Sequence, residues 1–137
     1  MDLDKFKHQH DEILSSISQL RYLAKAGVTQ NAHSISNLIV KMSSVIKLHL
    51  AAEDSALYPA LQQQPDAELT KISQFYQKEM QDIAAAYNAF SRRWNTAASL
   101  NNQDDAFRKD ANHVLRMIYE RMQRENSDFY PRIGFIK

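Results

Sequence analysis

The stretch HLAAEDSALYP, residues 49–59, places a histidine and a glutamate four positions apart in a run of helix-forming residues. Its last seven residues, EDSALYP, return 72 positions later as ENSDFYP, residues 125–131. Four of these seven positions are identical in the two copies, and two more are exchanges between similar side chains. The sequence therefore predicts two long helices that end in the same way.

The composition around this repeat predicts an all-α protein. The chain has 137 residues but only two glycines and three prolines, so it lacks the turn residues that a many-stranded fold needs. Ala, Leu, Gln, Lys, Glu, Arg and Met dominate, and these residues lose the least free energy on entering a helix. A chain of this length suits a single domain, which we expect to span residues 1–137.

Apolar residues at spacings of three and four predict the first two helices. The first runs from about Asp4 to Lys25, and Gly27 follows it as a stop signal. The second begins near Thr29 or Asn31, both plausible N-caps, and Pro59 marks its end.

The same spacing predicts two further helices. Pro65 and Asp66 open the third helix, which reaches Trp94, and SLNNQDD (residues 99–105) forms a loop and capping region. The fourth helix then carries an inward face as far as Phe129. Because the connections are short, we expect an antiparallel four-helix bundle with up-down-up-down topology.

The two halves of the chain resemble copies of one helical hairpin related by a pseudo-twofold axis. A shift of 70 positions lays the first helix over the third, and a shift of 72 lays the second over the fourth. The overlaid pairs include Phe6 with Tyr76, His10 with Met80, His49 with Arg121 and Glu53 with Glu125. Chance likeness between amphipathic helices is the alternative, since helical stripes resemble one another easily.

The charge balance and the missing cysteines exclude several classes of function. Seventeen basic and sixteen acidic side chains leave a formal charge of +1, without the basic stripe of a nucleic-acid-binding protein. With no cysteine, neither disulfides nor thiolate metal ligands can form. The charged start MDLDKFKHQHDE is not a signal peptide, and no apolar run approaches membrane-spanning length. We therefore expect a soluble, cytoplasmic protein that binds neither nucleic acid nor membranes.

Four side chains on the predicted inward faces could carry chemistry. His49 and Glu53 lie one turn apart on one face of the second helix, and Glu125 takes the matching place on the fourth. His10 lies on the inward stripe of the first helix. A carboxylate in a bundle core is costly unless it is paired or bound to a metal, and imidazoles with carboxylates suit iron, manganese or zinc. These four residues form a candidate metal site.

The motifs resemble those of the hemerythrin family, the HHE cation-binding domains. The likeness lies in HDEI (residues 10–13), in HLAAEDSALYP, in EM (79–80) where the family commonly has Glu-His, and in RMQRENSDFYP (121–131). It covers essentially the whole chain. The resemblance implies two irons bridged by carboxylates of the second and fourth helices, each iron also bound by histidines from one hairpin.

Position by position, the resemblance leaves only one of these two iron sites. The first histidine set survives as His10 and His49, with Glu53 and Glu125 as the bridging acids. The second set is missing, since Met80 and Ala84 stand on the third helix and Arg121 stands on the fourth. A dioxygen carrier of the two-iron kind is therefore not expected.

Two interpretations of these residues stay open. In one, His10, His49, Glu53 and Glu125 bind a single iron or another divalent metal, with positions left for a small molecule. In the other, no metal is bound, and the Arg121 guanidinium bridges Glu53 and Glu125 as an electrostatic replacement for the lost metal.

A third interpretation rebuilds a two-metal site with Glu79 or Tyr76 as ligands. In every case we expect a regulatory, sensing or interaction module, with catalytic turnover as the less favoured role. A metal-loaded protein would sense or react with oxygen, nitric oxide or peroxide, and a metal-free one would act through a protein partner.

Overall fold

A computed structural model describes residues 2–133, and every regular element within that range is a helix. The prediction of an all-α fold is confirmed. The α-helices are α1 (Asp4–Ala26), α2 (Ala32–Ala52), α3 (Tyr58–Gln62), α4 (Ala67–Trp94), α5 (Ala97–Leu100), α6 (Asp104–Arg124) and α7 (Tyr130–Ile133). Two π-helical turns, π1 (Glu53–Leu57) and π2 (Glu125–Phe129), join α2 to α3 and α6 to α7.

The four long helices pack as a helical bundle around two apolar clusters. Helix α1 packs against α2 and α6, and α4 packs against the same two helices. The larger cluster fills one part of the bundle with side chains from all four, including Ile17, Ile39, Phe90 and Ile118. The smaller cluster comprises Leu3, Phe6, Leu57, Tyr58, Leu61, Tyr76, Phe129, Tyr130 and Ile133.

Both repeated sequences form a wide π-helical turn ahead of a proline. The Tyr58 N–H donates to the Glu53 carbonyl and the Tyr130 N–H donates to the Glu125 carbonyl, five residues back in each case. A proline lacks the N–H that an α-helix interior needs, and its ring clashes with the carbonyl four residues earlier. The wide turns precede Pro59 and Pro131, which then lie in the first turn of α3 and α7, where proline is tolerated.

Two predicted boundaries were wrong. The second helix does not end at Pro59, because π1 lets the chain continue helically to Gln62. The segment 99–105 is not wholly a loop, because α5 reaches Leu100 and α6 already begins at Asp104. The expected opening of the third helix is confirmed, since the Asp66 carboxylate accepts hydrogen bonds from the N–H groups of Glu68 and Leu69.

The turn between α1 and α2 depends on a glycine and on a carboxylate from α6. Gly27 has a φ of 143°, which a residue with a Cβ rarely adopts, and a Cβ there would overlap the Gln30 side chain. The Asp104 carboxylate accepts hydrogen bonds from the Val28 N–H (3.2 Å) and the Thr29 hydroxyl (2.6 Å). Asp104 thereby links the start of α6 to the turn between α1 and α2.

Within residues 2–133, one helix is long and apolar enough to span a membrane by length and composition alone. It is the continuous helix Ala32–Gln62, and 39% of the apolar window that passes is buried in the fold. A core helix of a bundle passes the same test, so this is weak support for a membrane span. The cytoplasmic location stays a prediction.

Candidate metal centre

The four predicted site residues meet in the interior of the bundle, between the two apolar clusters. His10 comes from α1, His49 from α2, Glu53 from the start of π1 and Glu125 from the start of π2. All four side chains are fully buried. Apolar residues flank them in sequence on every helix, so the same amphipathic pattern that builds the core carries these polar groups inward.

The ligand-type atoms of these residues lie close together. His10 Nε2 is 3.2 Å from His49 Nε2 and 3.7 Å from Glu125 Oε2, and His49 Nε2 is 3.2 Å from Glu53 Oε1. Ligand atoms of His10, His49 and Glu125 all lie within 4.8 Å of one another. This spacing allows one ion to touch all three.

Two carboxylate oxygens of the centre lack a hydrogen-bond donor. Within residues 2–133, Glu53 Oε1 and Glu125 Oε2 are the buried side-chain polar atoms without a partner. They lie against the two Nε2 nitrogens, so atoms that carry lone pairs converge on one small volume. A buried acceptor without a partner is costly, and either a bound cation or a proton on Glu53 removes that cost. The residues present therefore fit a metal ion.

The side-chain amides of Gln9 and Asn126, which the sequence analysis did not identify, contact the Nδ1 atoms of the two imidazoles. The Gln9 Oε1 lies 2.8 Å from His49 Nδ1, and the Asn126 Oδ1 lies 2.8 Å from His10 Nδ1. Metal-bound histidines usually donate their second N–H to such an oxygen. In the sequence, the only indication of their role is that Gln9 precedes His10 and Asn126 follows Glu125.

Aromatic side chains close the centre on the side of the smaller cluster. The Tyr130 hydroxyl lies 3.1 Å from His10 Nε2 and 3.3 Å from Glu53 Oε2, and its ring stacks on the His10 imidazole with centroids 5.1 Å apart. Phe6 meets the His49 ring edge-on at 6.1 Å. Tyr130 also escaped the sequence analysis, although it belongs to the repeated Tyr-Pro ending.

Arg121 does bridge two carboxylates, but one of the two expected partners was wrong. Its Nε donates to Glu125 Oε1 at 2.9 Å and its Nη1 donates to Glu79 Oε1 at 3.1 Å. Glu53 is not among its hydrogen-bond acceptors within residues 2–133. Both N–H groups of Nη2 are also used, because Nη2 donates to the Tyr58 hydroxyl (3.1 Å) and to the Tyr76 carbonyl (2.7 Å). The rigid geometry of the guanidinium fixes which acids it can reach.

Met80 and the residues of the third interpretation have other contacts. Met80 is fully buried in the larger apolar cluster. The Glu79 carboxylate is held by both Arg121 and Arg124, and the Tyr76 hydroxyl donates to Asp128. The side chains proposed to rebuild a second metal site are therefore engaged elsewhere.

The surroundings shift the pKa values of the two carboxyls in opposite directions. Burial and the neighbouring charge of Glu125 raise the pKa of Glu53 well above its usual range. Burial also opposes ionisation of Glu125, but Arg121, His10, His49 and a hydrogen bond with Glu53 together lower the pKa of Glu125. Without metal, a proton in the centre is therefore favoured on Glu53 over Glu125, which pairs with Arg121.

Both imidazoles of the centre are neutral at physiological pH. Burial lowers the pKa of His49 to about 4, and burial also lowers the pKa of His10. Neutral imidazole is the form that binds metal. The other histidines, His8, His33 and His113, are exposed.

The comparison with protein families agrees with this centre. Residues 1–133 match the hemerythrin HHE cation binding domain. The chain belongs to the hemerythrin family. No curated protein and no solved structure matches it significantly. Since the hemerythrin HHE domain binds cations, the buried group of His10, His49 and Glu125 is the place where this chain could hold an ion.

Proposed function

We propose that this hemerythrin-family domain binds one divalent transition-metal ion, with iron as the first candidate, through His10, His49, Glu53 and Glu125. The observation that carries the proposal is the pair of buried, unpartnered oxygens, Glu53 Oε1 and Glu125 Oε2, beside two Nε2 nitrogens. One cation would satisfy all of these acceptors. Two imidazoles with carboxylates are ligands suited to iron, manganese or zinc.

A single ion is favoured because a fixed positive charge lies beside the centre. The Arg121 guanidinium is fully buried and pairs with Glu125 on the side away from the histidines. A second cation there would meet this charge without histidine ligands, since Met80 takes the position matching His10. The electrostatic repulsion between buried charges is strong because little water screens it.

The role that we propose for the centre is sensing or regulation rather than turnover. When bound, iron would supply a redox-active centre able to take up oxygen or nitric oxide. This chain's residues bury the ligands completely, and Phe6 and Tyr130 pack directly on the imidazoles. Such packing favours very small molecules over organic substrates.

The proposal includes one domain with up-down-up-down topology and two related hairpins. The smaller cluster supports alternating directions of the four long helices. It brings together the start of α1, the α3 segment that follows α2, the first half of α4 and the α7 segment that follows α6. The equivalent π turns, 72 positions apart, support the relation between the hairpins.

Metal titration of the metal-free protein tests the function. Anaerobic addition of Fe(II), with Zn(II) in parallel, should saturate at one equivalent per chain. At a free metal concentration of 100 times the Kd, binding should add about 2.7 kcal/mol to the free energy of unfolding, or very roughly 10 °C in Tm. His49→Ala should abolish the shift, whereas the exposed-histidine control His113→Ala should keep it.

Gas binding separates the sensing role from metal storage. Nitric oxide added to the Fe(II)-loaded protein should change its visible spectrum, and the same addition to the His49→Ala variant should not. Failure of the wild-type protein to retain stoichiometric metal would refute the metal function. A loaded protein that never responds to oxygen or nitric oxide would refute the sensing role alone.

A metal-free interaction module is the second candidate, and one feature favours it. When protonated, Glu53 can donate from Oε1 to His49 Nε2 across 3.2 Å, while the Tyr130 hydroxyl donates to His10 Nε2. The centre is then nearly satisfied without an ion. In this case chelator-treated protein should still capture its protein partner from a lysate, and added metal should leave that capture unchanged.

A further inference from the structure

Two side chains outside the ligand set determine which nitrogen of each imidazole is available. We propose that Gln9 and Asn126 are positioning residues that hold His49 and His10 in the tautomer with the proton on Nδ1, so that both Nε2 lone pairs point into the centre. The inference rests on the proposed metal-binding function for its purpose. The tautomers themselves can be observed without metal.

The hydrogen-bond geometry favours this tautomer. Gln9 Oε1 and Asn126 Oδ1 each lie 2.8 Å from an Nδ1, and a carbonyl oxygen can only accept. A neutral imidazole has one N–H, so the proton that faces the amide oxygen leaves Nε2 bare. The two Nε2 atoms are 3.2 Å apart, which leaves no room for a proton on both.

Each amide supports an imidazole on a different helix from its own. Gln9 lies on α1 beside His10 but contacts His49 on α2. Asn126 lies in π2 beside Glu125 but contacts His10 on α1. The two contacts therefore link α1, α2 and π2 at the level of the centre and fix the imidazole planes relative to one another.

The position equivalent to Gln9 in the second hairpin acts as an internal control. Seventy positions after Gln9 stands Glu79, and its Oε1 accepts from Arg121, which stands 72 positions after His49. A neutral amide thus faces the neutral imidazole, and a carboxylate faces the cationic guanidinium. The charge of the acceptor matches the group that it holds.

The position equivalent to Asn126 gives the converse result. Asp54 stands 72 positions before Asn126. In the same comparison Met80 corresponds to His10, so Met80 is the residue that Asp54 would face. Met80 has no N–H to offer, and Asp54 Oδ1 accepts from Gln77 at 3.2 Å. Of this equivalent pair, only Asn126 contacts a histidine of the centre, and Asp54 is directed to Gln77 instead.

Nitrogen NMR of the metal-free protein tests the proposal directly. Two-bond ¹H–¹⁵N spectra should show His10 and His49 protonated on Nδ1. Gln9→Leu should shift His49 toward the Nε2-protonated form, Asn126→Leu should do so for His10, and Asp54→Leu should change neither. Gln9→Glu, which keeps an acceptor, should keep His49 in the wild-type tautomer.

Zinc affinity, measured by competition with a chelator, provides the second readout. Loss of either amide should weaken zinc binding about 10–100-fold, as is usual when the partner of a metal-bound histidine is removed. Asp54→Leu should bind as the wild type does, and Gln9→Glu should restore the affinity that Gln9→Leu loses.

Each outcome decides a separate claim. Wild-type imidazoles protonated on Nε2, or leucine variants that lose Tm without any change of tautomer, would overturn the positioning role. Correct tautomers in a wild-type protein that binds no zinc or iron would overturn the metal function and leave the positioning assignment supported.

Discussion

At the level of single residues, the main feature of the centre is that the ionisable side chains of Glu53, Glu125 and Arg121 are fully buried. Burial and the charge of Glu125 raise the pKa of Glu53, whereas Arg121, which pairs with Glu125, helps to lower the pKa of Glu125. Arg121 is itself fully buried, with donors directed at Glu125, Glu79, the Tyr58 hydroxyl and the Tyr76 carbonyl. One guanidinium therefore satisfies acceptors from three segments of the bundle.

Removing Arg121 should destabilise the metal-free protein strongly. The Arg121→Ala variant leaves Glu125 buried and unpaired, a change that typically costs about 3–5 kcal/mol. Urea unfolding should show this loss. The control Arg124→Ala removes the exposed second partner of Glu79 and should cost about 0–1 kcal/mol. Equal stability of the two variants would show that Arg121 does not neutralise the centre.

At the scale of elements, wide turns and side-chain contacts between segments place the residues. The π turns put Glu53 and Glu125 at the first position of a widened stretch, and π turns inside helices often occur at functional sites. At the far end of the bundle, Asp104 at the start of α6 holds the turn after α1 through Val28 and Thr29.

The Asp104 contact should make part of the stability depend on pH. The hydrogen bond from Thr29 and, less strongly, that from Val28 lower the pKa of Asp104 in the folded state. A lowered folded pKa means that the stabilisation is complete above the unfolded pKa and is lost as the pH falls through the folded value. Asp104→Asn should therefore be less stable than the wild type at pH 7.

The difference between Asp104→Asn and the wild type should shrink as the pH falls below about 4. Thermal melts across this range measure it. Asp105→Asn alters the next, exposed carboxylate of the same helical turn and should leave the pH profile unchanged. A constant difference between Asp104→Asn and the wild type at all pH values would contradict the linkage.

At the scale of the whole molecule, the two hairpins share positions but differ in charge. Gln9, His10 and His49 in the first hairpin correspond to Glu79, Met80 and Arg121 in the second. In the first set, the Nε2 atoms of the two histidines face the carboxylates of Glu53 and Glu125. In the second set, the corresponding positions hold the Arg121 cation and the apolar side chain of Met80. The proposed single metal site follows from this difference.

Making the second hairpin match the first should create a second metal site. The triple variant Glu79→Gln, Met80→His, Arg121→His removes one acid and one base, so the net charge is unchanged with neutral histidines. We expect metal content to rise from one to two equivalents per chain, measured by elemental analysis after iron loading. The control Arg121→His alone should stay at one, and a folded triple variant that also stays at one would contradict the proposed relation between the hairpins.

The existence of the four long helices and the identity of the buried polar groups at the centre could be predicted from the sequence. Helical spacing of apolar residues placed His10, His49, Glu53 and Glu125 on inward faces, and the structure buries all four. This worked because amphipathic periodicity is a local property that a sequence displays directly. The family likeness was confirmed over residues 1–133.

Only the tertiary structure decided which polar groups meet. It directed Arg121 to Glu79 instead of Glu53, placed Gln9 and Asn126 behind the imidazoles, and carried the second helix past Pro59 through a π turn. Such partnerships depend on how far each helix is rotated and shifted against its neighbours, and side-chain direction at a few ångströms decides a hydrogen bond. A periodicity gives the face on which a residue lies, but the atom that it meets depends on packing across the bundle.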